Sequence, residues 1–154
     1  IGEIALRSPT FAGYEYLGGG RPLRSTDDGF HSAGDLGYLD DEGYLYVVDR
    51  REDLIITGGA NVYPAEGEAA LIDHPQIADV VVIGLRDPEW GRRVHAIVEP
   101  VHHGQPPSAE EIIQYAKSRL ASYKVPKTVE LIDAIPRSAA TKVSRGALAD
   151  ARGG

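Results

Sequence analysis

Apolar and polar positions change period part-way along this chain. Up to about residue 50 they follow a β pattern with no helical period. Glu3 to Arg7 alternates, and Tyr14-Glu15-Tyr16-Leu17 reads as a short strand before a Gly18-Gly19-Gly20 loop. Leu36–Leu39 and Tyr44–Val48 flank Asp40-Asp41-Glu42-Gly43, which predicts a hairpin. Five charged residues, Asp49 to Asp53, interrupt the pattern, and strands then alternate with helices. Leu54–Thr57 is a short strand. Pro64 suits the first turn of a helix to about Asp73, which Gly67 weakens. Ala78–Leu85 is almost wholly apolar and predicts a central strand buried on both faces. Val94–Val98 is the next strand. Ser108 and Glu111 have the spacing of a capping box, opening a helix to about Ala121 with Ile112, Ile113, Ala116 and Leu120 on its apolar face. A strand at Thr128–Ile132 and a short helix within Val143–Ala151 complete an α+β unit that starts near residue 53.

Composition narrows the class. With 154 residues there is room for one domain, or for a small domain and part of another. A net charge of −7 argues against a general nucleic-acid or membrane-surface binder, which would present a basic face. The absence of cysteine removes disulfides, thiolate catalysis and thiolate metal sites. No apolar run is long enough for a membrane span, no signal peptide is evident, and a cytoplasmic setting is expected. The chain lacks methionine and opens within a strand-like run, so it reads as a piece of a longer polypeptide.

Several short stretches could carry chemistry, and each has a plain structural alternative. Asp35, after Gly34 at a strand edge, could accept two hydroxyl hydrogen bonds or simply serve a turn. Arg50, at a strand end, could bind sugar hydroxyls or phosphate, or be a solvated charge. Thr57-Gly58-Gly59-Ala60-Asn61, holding the chain's only asparagine, allows a close backbone approach to a ligand. It matches neither a dinucleotide fingerprint nor a P-loop, and by itself it is a tight strand-to-helix turn. Trp90 could stack on a base or cover a core edge. Lys142, on the small-residue loop from Pro136 to Arg145, could reach another domain's site or stay at the surface. The five histidines show no metal-ligand spacing, and no metal site is assigned.

Order and spacing add what the single motifs lack. Gly34-Asp35, Asp49-Arg50, Thr57 to Glu66, Asp87-Pro88-Glu89-Trp90-Gly91, Tyr123-Lys124-Val125-Pro126-Lys127 and Ile135-Pro136-Arg137 with Lys142 and Arg145 closely resemble the carboxyl-terminal part of the adenylate-forming enzymes. That superfamily holds acyl-CoA synthetases, aryl-CoA ligases, peptide-synthetase adenylation domains and beetle luciferases. The resemblance covers essentially the whole chain.

The resemblance implies a division at the charged break. Residues 1–51 would be the last β segment of a large amino-terminal domain, and residues 52–154 a small mobile lid with a central mixed sheet flanked by helices. The lid would take one pose to make an acyl-adenylate from ATP, Mg²⁺ and a carboxylic acid, and another to pass the acyl group to CoA. Asp35 and Arg50 would hold the ribose hydroxyls, Lys142 would serve adenylation, and Glu52 would be the hinge. Gly58, Gly59 and Asn61 would line the pantetheine channel. Trp90 and Tyr123 would meet the adenine of CoA, and Lys127 its 3′-phosphate. Acylation of Lys142 would remove the charge that adenylation relies on.

The sequence departs from the family pattern at Glu52, where Asp or Lys is usual, at Thr141, where Gly is usual, and at Gly67, where a helix former is expected. No phosphate loop or acid pocket is identifiable, so this chain alone is expected to be inactive and to need the missing large domain. The resemblance points to the lid of an acyl-CoA synthetase for a carboxylic acid of the fatty or a related type. The alternatives are a peptide-synthetase-like domain that loads a carrier protein and a non-catalytic module that binds CoA or a protein partner.

Overall fold

The computed structural model describes residues 1–9 and 23–154, so the strand expected at Tyr14–Leu17 lies outside the described residues. The chain divides into two compact units, Ile1–Glu52 and Asp53–Gly154.

The first unit is built of short strands. β1 (Gly2–Glu3), β4 (Asp35–Leu39) and β5 (Leu45–Arg50) form an antiparallel sheet in the order β1-β4-β5. β2 (Arg24–Ser25) and β3 (His31–Ser32) form a separate ribbon. The expected hairpin is present. The Asp40 carboxylate accepts from the backbone N–H groups of Glu42 (3.0 Å) and Tyr44 (2.8 Å), which closes the turn. The run Glu3–Arg7, expected as one strand, pairs only over Gly2–Glu3, with an isolated bridge between Leu6 and His31.

The second unit is a mixed sheet between helices. β8 (Ile77–Asp87) and β9 (Gly91–Pro100) make a long antiparallel hairpin, and β10 (Thr128–Leu131) adds in parallel to β9 after a crossover through α2 (Ala109–Lys117). The sheet order is β10-β9-β8. β9 is therefore the central strand, and the apolar stretch Ala78–Leu85, expected there, lies in a strand at the edge of the order. It is still buried on both faces, because alternate residues enter different cores. Val80 and Val82 pack with Val94, Ala96 and Val98, with Leu71 of α1 (Pro64–Ile72) and with Ile112 and Ala116 of α2. Val81, Ile83 and Leu85 pack on the other face with Ile97, Ile135 and Leu148 of α3 (Arg145–Asp150).

Local chemistry sets the helix ends. The Ser108 hydroxyl accepts from the Glu111 N–H (3.2 Å), and the Glu111 carboxylate accepts from the Ser108 N–H (2.8 Å), completing the capping box. α2 stops at Lys117, before the expected Ala121; there the Ser118 hydroxyl bonds the Tyr115 carbonyl at 2.8 Å. Gly67, a poor helix former, has a packing reason. A Cβ there would lie 3.3 Å from Val82 Cγ2, so its absence lets α1 sit close on β8. No helix among the described residues is long and apolar enough to cross a membrane.

Candidate functional site

In the first unit the antiparallel register sets Asp35 directly opposite Arg50. The loop before Asp35 is pinned twice. The Gly34 N–H donates to Ser32 Oγ (3.0 Å), and the Arg51 N–H donates to the Gly34 carbonyl (2.8 Å). Arg50 Nε lies 3.6 Å from Asp35 Oδ1, and its Nη1 lies 3.7 Å from Glu52 Oε1. These long, solvent-exposed pairings contribute little to stability. They do present an acceptor carboxylate beside a donor guanidinium, a combination that suits a vicinal diol.

The second unit carries the glycine loop, and its geometry corrects the sequence expectation. Ala60–Val62 forms a further strand, β7, paired with β6 (Ile55–Thr57). Gly58-Gly59 is thus the two-residue turn of a hairpin, with φ values of +54° and +82°, as a type I′ turn demands. The turn rests on Trp90. The Gly58 N–H donates to the Trp90 carbonyl (2.9 Å), and a Cβ on Gly58 would lie 2.5 Å from Trp90 Cε3. A Cβ on Gly59 would meet nothing within 4 Å. Asn61 is exposed on β7, opposite Ile56.

Trp90 lies in the turn of the β8–β9 hairpin. The Asp87 carboxylate accepts from the Glu89 and Trp90 N–H groups, both at 3.0 Å. The Trp90 bond is the main reason that this carboxyl is held below its usual range, and the nearby charges of Arg93 and Lys127 act in the same direction. Lys127 follows the buried Val125-Pro126 pair, and its N–H donates to the Val94 carbonyl (2.8 Å). Earlier in the same segment, Lys124 Nζ binds Glu66 of α1 at 2.6 and 2.7 Å and lies 5.6 Å from the centre of the Tyr123 ring. Buried anchors therefore hold the segment while Tyr123 and Lys127 face solvent.

Sequence reasoning overlooked further cations beside Trp90. Arg86 and Arg92 are cross-strand partners, and like charges directly opposite each other are unfavourable. Arg92 and Arg93 donate to backbone carbonyls, of Gly84 (3.2 Å) and Arg86 (2.6 Å). Arg93 Nε is buried without a partner among the described residues. The charges were visible in the sequence, but the pairing that opposes two of them was not.

Lys142 is exposed on a closed loop. The Ser138 N–H donates to the Lys142 carbonyl (2.9 Å), the Thr141 N–H to the Ser138 carbonyl (2.8 Å), and the Lys142 N–H to Ser138 Oγ (3.2 Å). Thr141 has φ +59° and is the one described non-glycine residue with positive φ. This position, noted in the sequence for lacking the usual glycine, thus takes the conformation that glycine adopts most easily.

Two other polar regions hold none of the candidate residues. His95 is buried on the α3 side of the sheet, with Nδ1 2.7 Å from Thr128 Oγ1 and Nε2 3.4 Å from Glu130. Burial pushes its imidazole below the ordinary range, against the opposing pull of Glu130. A shallow groove beside α2 is lined by His74, Ser108, Glu110, Glu111, Gln114 and Tyr115. Among the described residues no group of three or more His, Asp or Glu could hold a metal ion.

Comparison with known proteins agrees with this architecture. The family model for the AMP-binding enzyme C-terminal domain matches residues 66–142, half of the chain. The 2-succinylbenzoate–CoA ligase of Bacillus subtilis is 45% identical over 153 residues, 99% of this chain and 31% of that ligase. The solved o-succinylbenzoate CoA synthetase of Bacillus subtilis, in complex with the acyl-adenylate intermediate OSB-AMP, superposes with a TM-score of 0.75 at 49% identity, covering 84% of this chain and 26% of that one. A Mycobacterium tuberculosis fatty acyl CoA synthetase superposes with a TM-score of 0.67 at 44% identity, over 82% of this chain and 25% of that one. The chain thus spans under a third of the curated ligase's length. The chain belongs to the AMP-binding enzyme C-terminal domain family of adenylate-forming ligases.

Proposed function

We propose that this chain forms the lid, and the segment leading into it, of an AMP-forming acyl-CoA ligase. In the first half-reaction a carboxylate oxygen attacks the α-phosphorus of ATP, and the bond to pyrophosphate breaks. Asp35 and Arg50 hold the ribose hydroxyls, and the Lys142 ammonium offsets the negative charge gathered as two anions meet. In the second half-reaction the CoA sulfur attacks the acyl carbon and AMP leaves. Gly58, Gly59 and Asn61 border the path of the pantetheine arm, Trp90 and Tyr123 receive the adenine, and Lys127 meets the 3′-phosphate. Glu52 is the pivot, at the boundary between the two units.

The observation that carries this reading is the seating of the Gly58-Gly59 turn on Trp90. It brings the proposed pantetheine path and the proposed adenine platform into contact, although they are far apart in sequence. The cations around the same hairpin favour CoA over a carrier protein as the acyl acceptor. Arg86, Arg92, Arg93 and Lys127 would meet the phosphates of free CoA, which are multiply charged. The names of the curated relatives move the expected acid from a fatty to an aromatic one, of the 2-succinylbenzoate kind.

The test uses the native polypeptide that contains these residues. It is supplied with ATP, Mg²⁺ and a panel of acids that includes 2-succinylbenzoate and fatty acids, with and without CoA. AMP and thioester are followed by mass spectrometry. Thioester that forms only with CoA, and adenylate that fails to form in Lys142→Ala, are the expected results. Adenylate that CoA never accepts would point to a carrier protein and remove the CoA roles of Trp90 and Lys127. CoA binding with no adenylate from any acid would point to a binding module.

A further inference from the structure

We propose that Arg137 and Asp79 form a latch that positions Lys142 for adenylation. The proposal rests on the reading of Lys142 as the adenylation lysine. The loop that bears Lys142 leaves the core at Ile135, which is buried and whose N–H donates to Glu99 Oε2 (2.9 Å). Past that point the loop is tied mainly to itself, through Ser138, Thr141 and Lys142. Self-closure fixes its shape, and the chain meets the core again at Val143, which packs against the cluster of Val81 and Ile83.

Between these two anchors, Arg137 ties the loop directly to the sheet. Its Nη1 donates to the Thr141 carbonyl (3.0 Å), and its Nη2 is paired with the Asp79 carboxylate on β8. The Thr141 carbonyl belongs to the peptide that joins Thr141 to Lys142, so the contact acts next to the residue that carries the ammonium. It also holds Thr141 in the left-handed conformation that a β-branched residue disfavours. Asp79 is a firm reference point. Its Oδ1 accepts from the Val80 N–H (2.8 Å), and Val80 and Val81 enter the cores on the two faces of the sheet. The Lys142 side chain is exposed and forms no ion pair among the described residues, so its ammonium stays available.

An exposed arginine–carboxylate pair is ordinarily worth little. This guanidinium differs because one planar group bonds a carbonyl on the loop and a carboxylate on the sheet at once. Arg137 and Asp79 are therefore positioning residues, and their effect should be confined to the step that Lys142 serves.

The experiment separates the two half-reactions in the native polypeptide. Adenylation is read as pyrophosphate release with ATP and 2-succinylbenzoate, or with whichever acid of the panel yields thioester. Acyl transfer is read from the pre-made acyl-adenylate with CoA. Arg137→Ala and the near-isosteric Asp79→Asn should each lower the adenylation kcat by about 10- to 100-fold, the scale of a small misplacement of a reacting group. KM for ATP and acyl transfer should be unchanged. Arg137→Lys should recover little, because an ammonium lacks the planar fork. The latch is overturned if adenylation and transfer fall together in Asp79→Asn, which would mark a general structural role. It is also overturned if both variants adenylate at the normal rate. Normal adenylation by Lys142→Ala would overturn the underlying reading, and the latch with it.

Discussion

The two glycines of the β6–β7 turn make different predictions, although they are neighbours. Alanine at either position loses the left-handed freedom of glycine, at about 1–2 kcal/mol each. At Gly59 the methyl group would meet nothing within 4 Å, so the conformational cost is the whole cost. At Gly58 it would lie 2.5 Å from Trp90 Cε3 and 2.9 Å from Cζ3, closer than carbon atoms approach. The ring must move, and such overpacking adds about 1–3 kcal/mol. Gly58→Ala should therefore cost about 2–5 kcal/mol and Gly59→Ala about 1–2 kcal/mol.

Urea unfolding of the native polypeptide, followed by circular dichroism, measures both. The decisive comparison repeats Gly58→Ala in a Trp90→Ala background. With the ring gone, Gly58→Ala should cost no more than Gly59→Ala, leaving a coupling energy of about 1–3 kcal/mol between positions 58 and 90. A coupling near zero, or equal costs for the two glycines, would refute the packing argument. The pair also separates structure from function. A loss of CoA-dependent acyl transfer in Gly58→Ala could come from displacing Trp90. The same loss in Gly59→Ala, where the added methyl meets nothing within 4 Å among the described residues, would come from the strained turn or from a ligand, and no loss would clear both.

Three further outcomes follow from the second unit. Because burial holds the His95 pKa below its ordinary 6.5, the unfolded chain binds the proton more readily; stability should be complete above about pH 6.5 and fall as the pH drops towards the folded-state pKa. An NMR titration should show the His95 imidazole displaced to low pH, and stability measured across that window should become less steep in pH in His95→Gln. Ser108→Ala removes the capping box and should cost about 1 kcal/mol in denaturant unfolding. Arg145→Met should destabilise by about 1–3 kcal/mol, because it strips a partner from the half-buried Asp53 and from Glu68, whose Oε1 also accepts from the Val82 N–H.

Features read correctly from the sequence were those set by neighbours along the chain. Ser108 and Glu111 are three residues apart, and Asp40 closes a turn with residues just after it, so the chemistry of each is written locally. Features that depend on which strands pair were misread or left open. β7 spans only Ala60–Val62, too short for alternation to show, so the glycines looked like the entry to a helix. The apolar run of β8 revealed burial on two faces but not edge position, since both faces of an edge strand can be covered by other elements. Asp35 and Arg50 were singled out, yet only the β4–β5 register shows that they face each other. Arg137 drew attention only as part of a motif, because its partner Asp79 is 58 residues away.

The position of the two candidate centres along β8 fits the two poses proposed above for the lid. Asp79, near the start of the strand, ties down the loop of Lys142. Asp87, at its end, shapes the turn that carries Trp90 and, through Trp90, supports Gly58-Gly59. At about 3.3 Å per residue the strand between these aspartates extends for roughly 26 Å, well beyond the reach of a side chain. β8 is held by cores on both faces, so bending it to bring its ends together would sacrifice packing at Val80, Val81, Val82 and Ile83. On that spacing, the two-pose reading has a reacting centre meet Lys142 in one pose and the glycine turn in the other. If adenylation uses one end and acyl transfer the other, the whole unit has to turn between the steps, with the pivot in the exposed stretch around Glu52, where the compact units divide. Locking that stretch, by Glu52→Pro, should therefore leave one half-reaction close to normal and abolish the other. Equal slowing of both, measured on separately supplied acid and acyl-adenylate, would refute the two-ended arrangement.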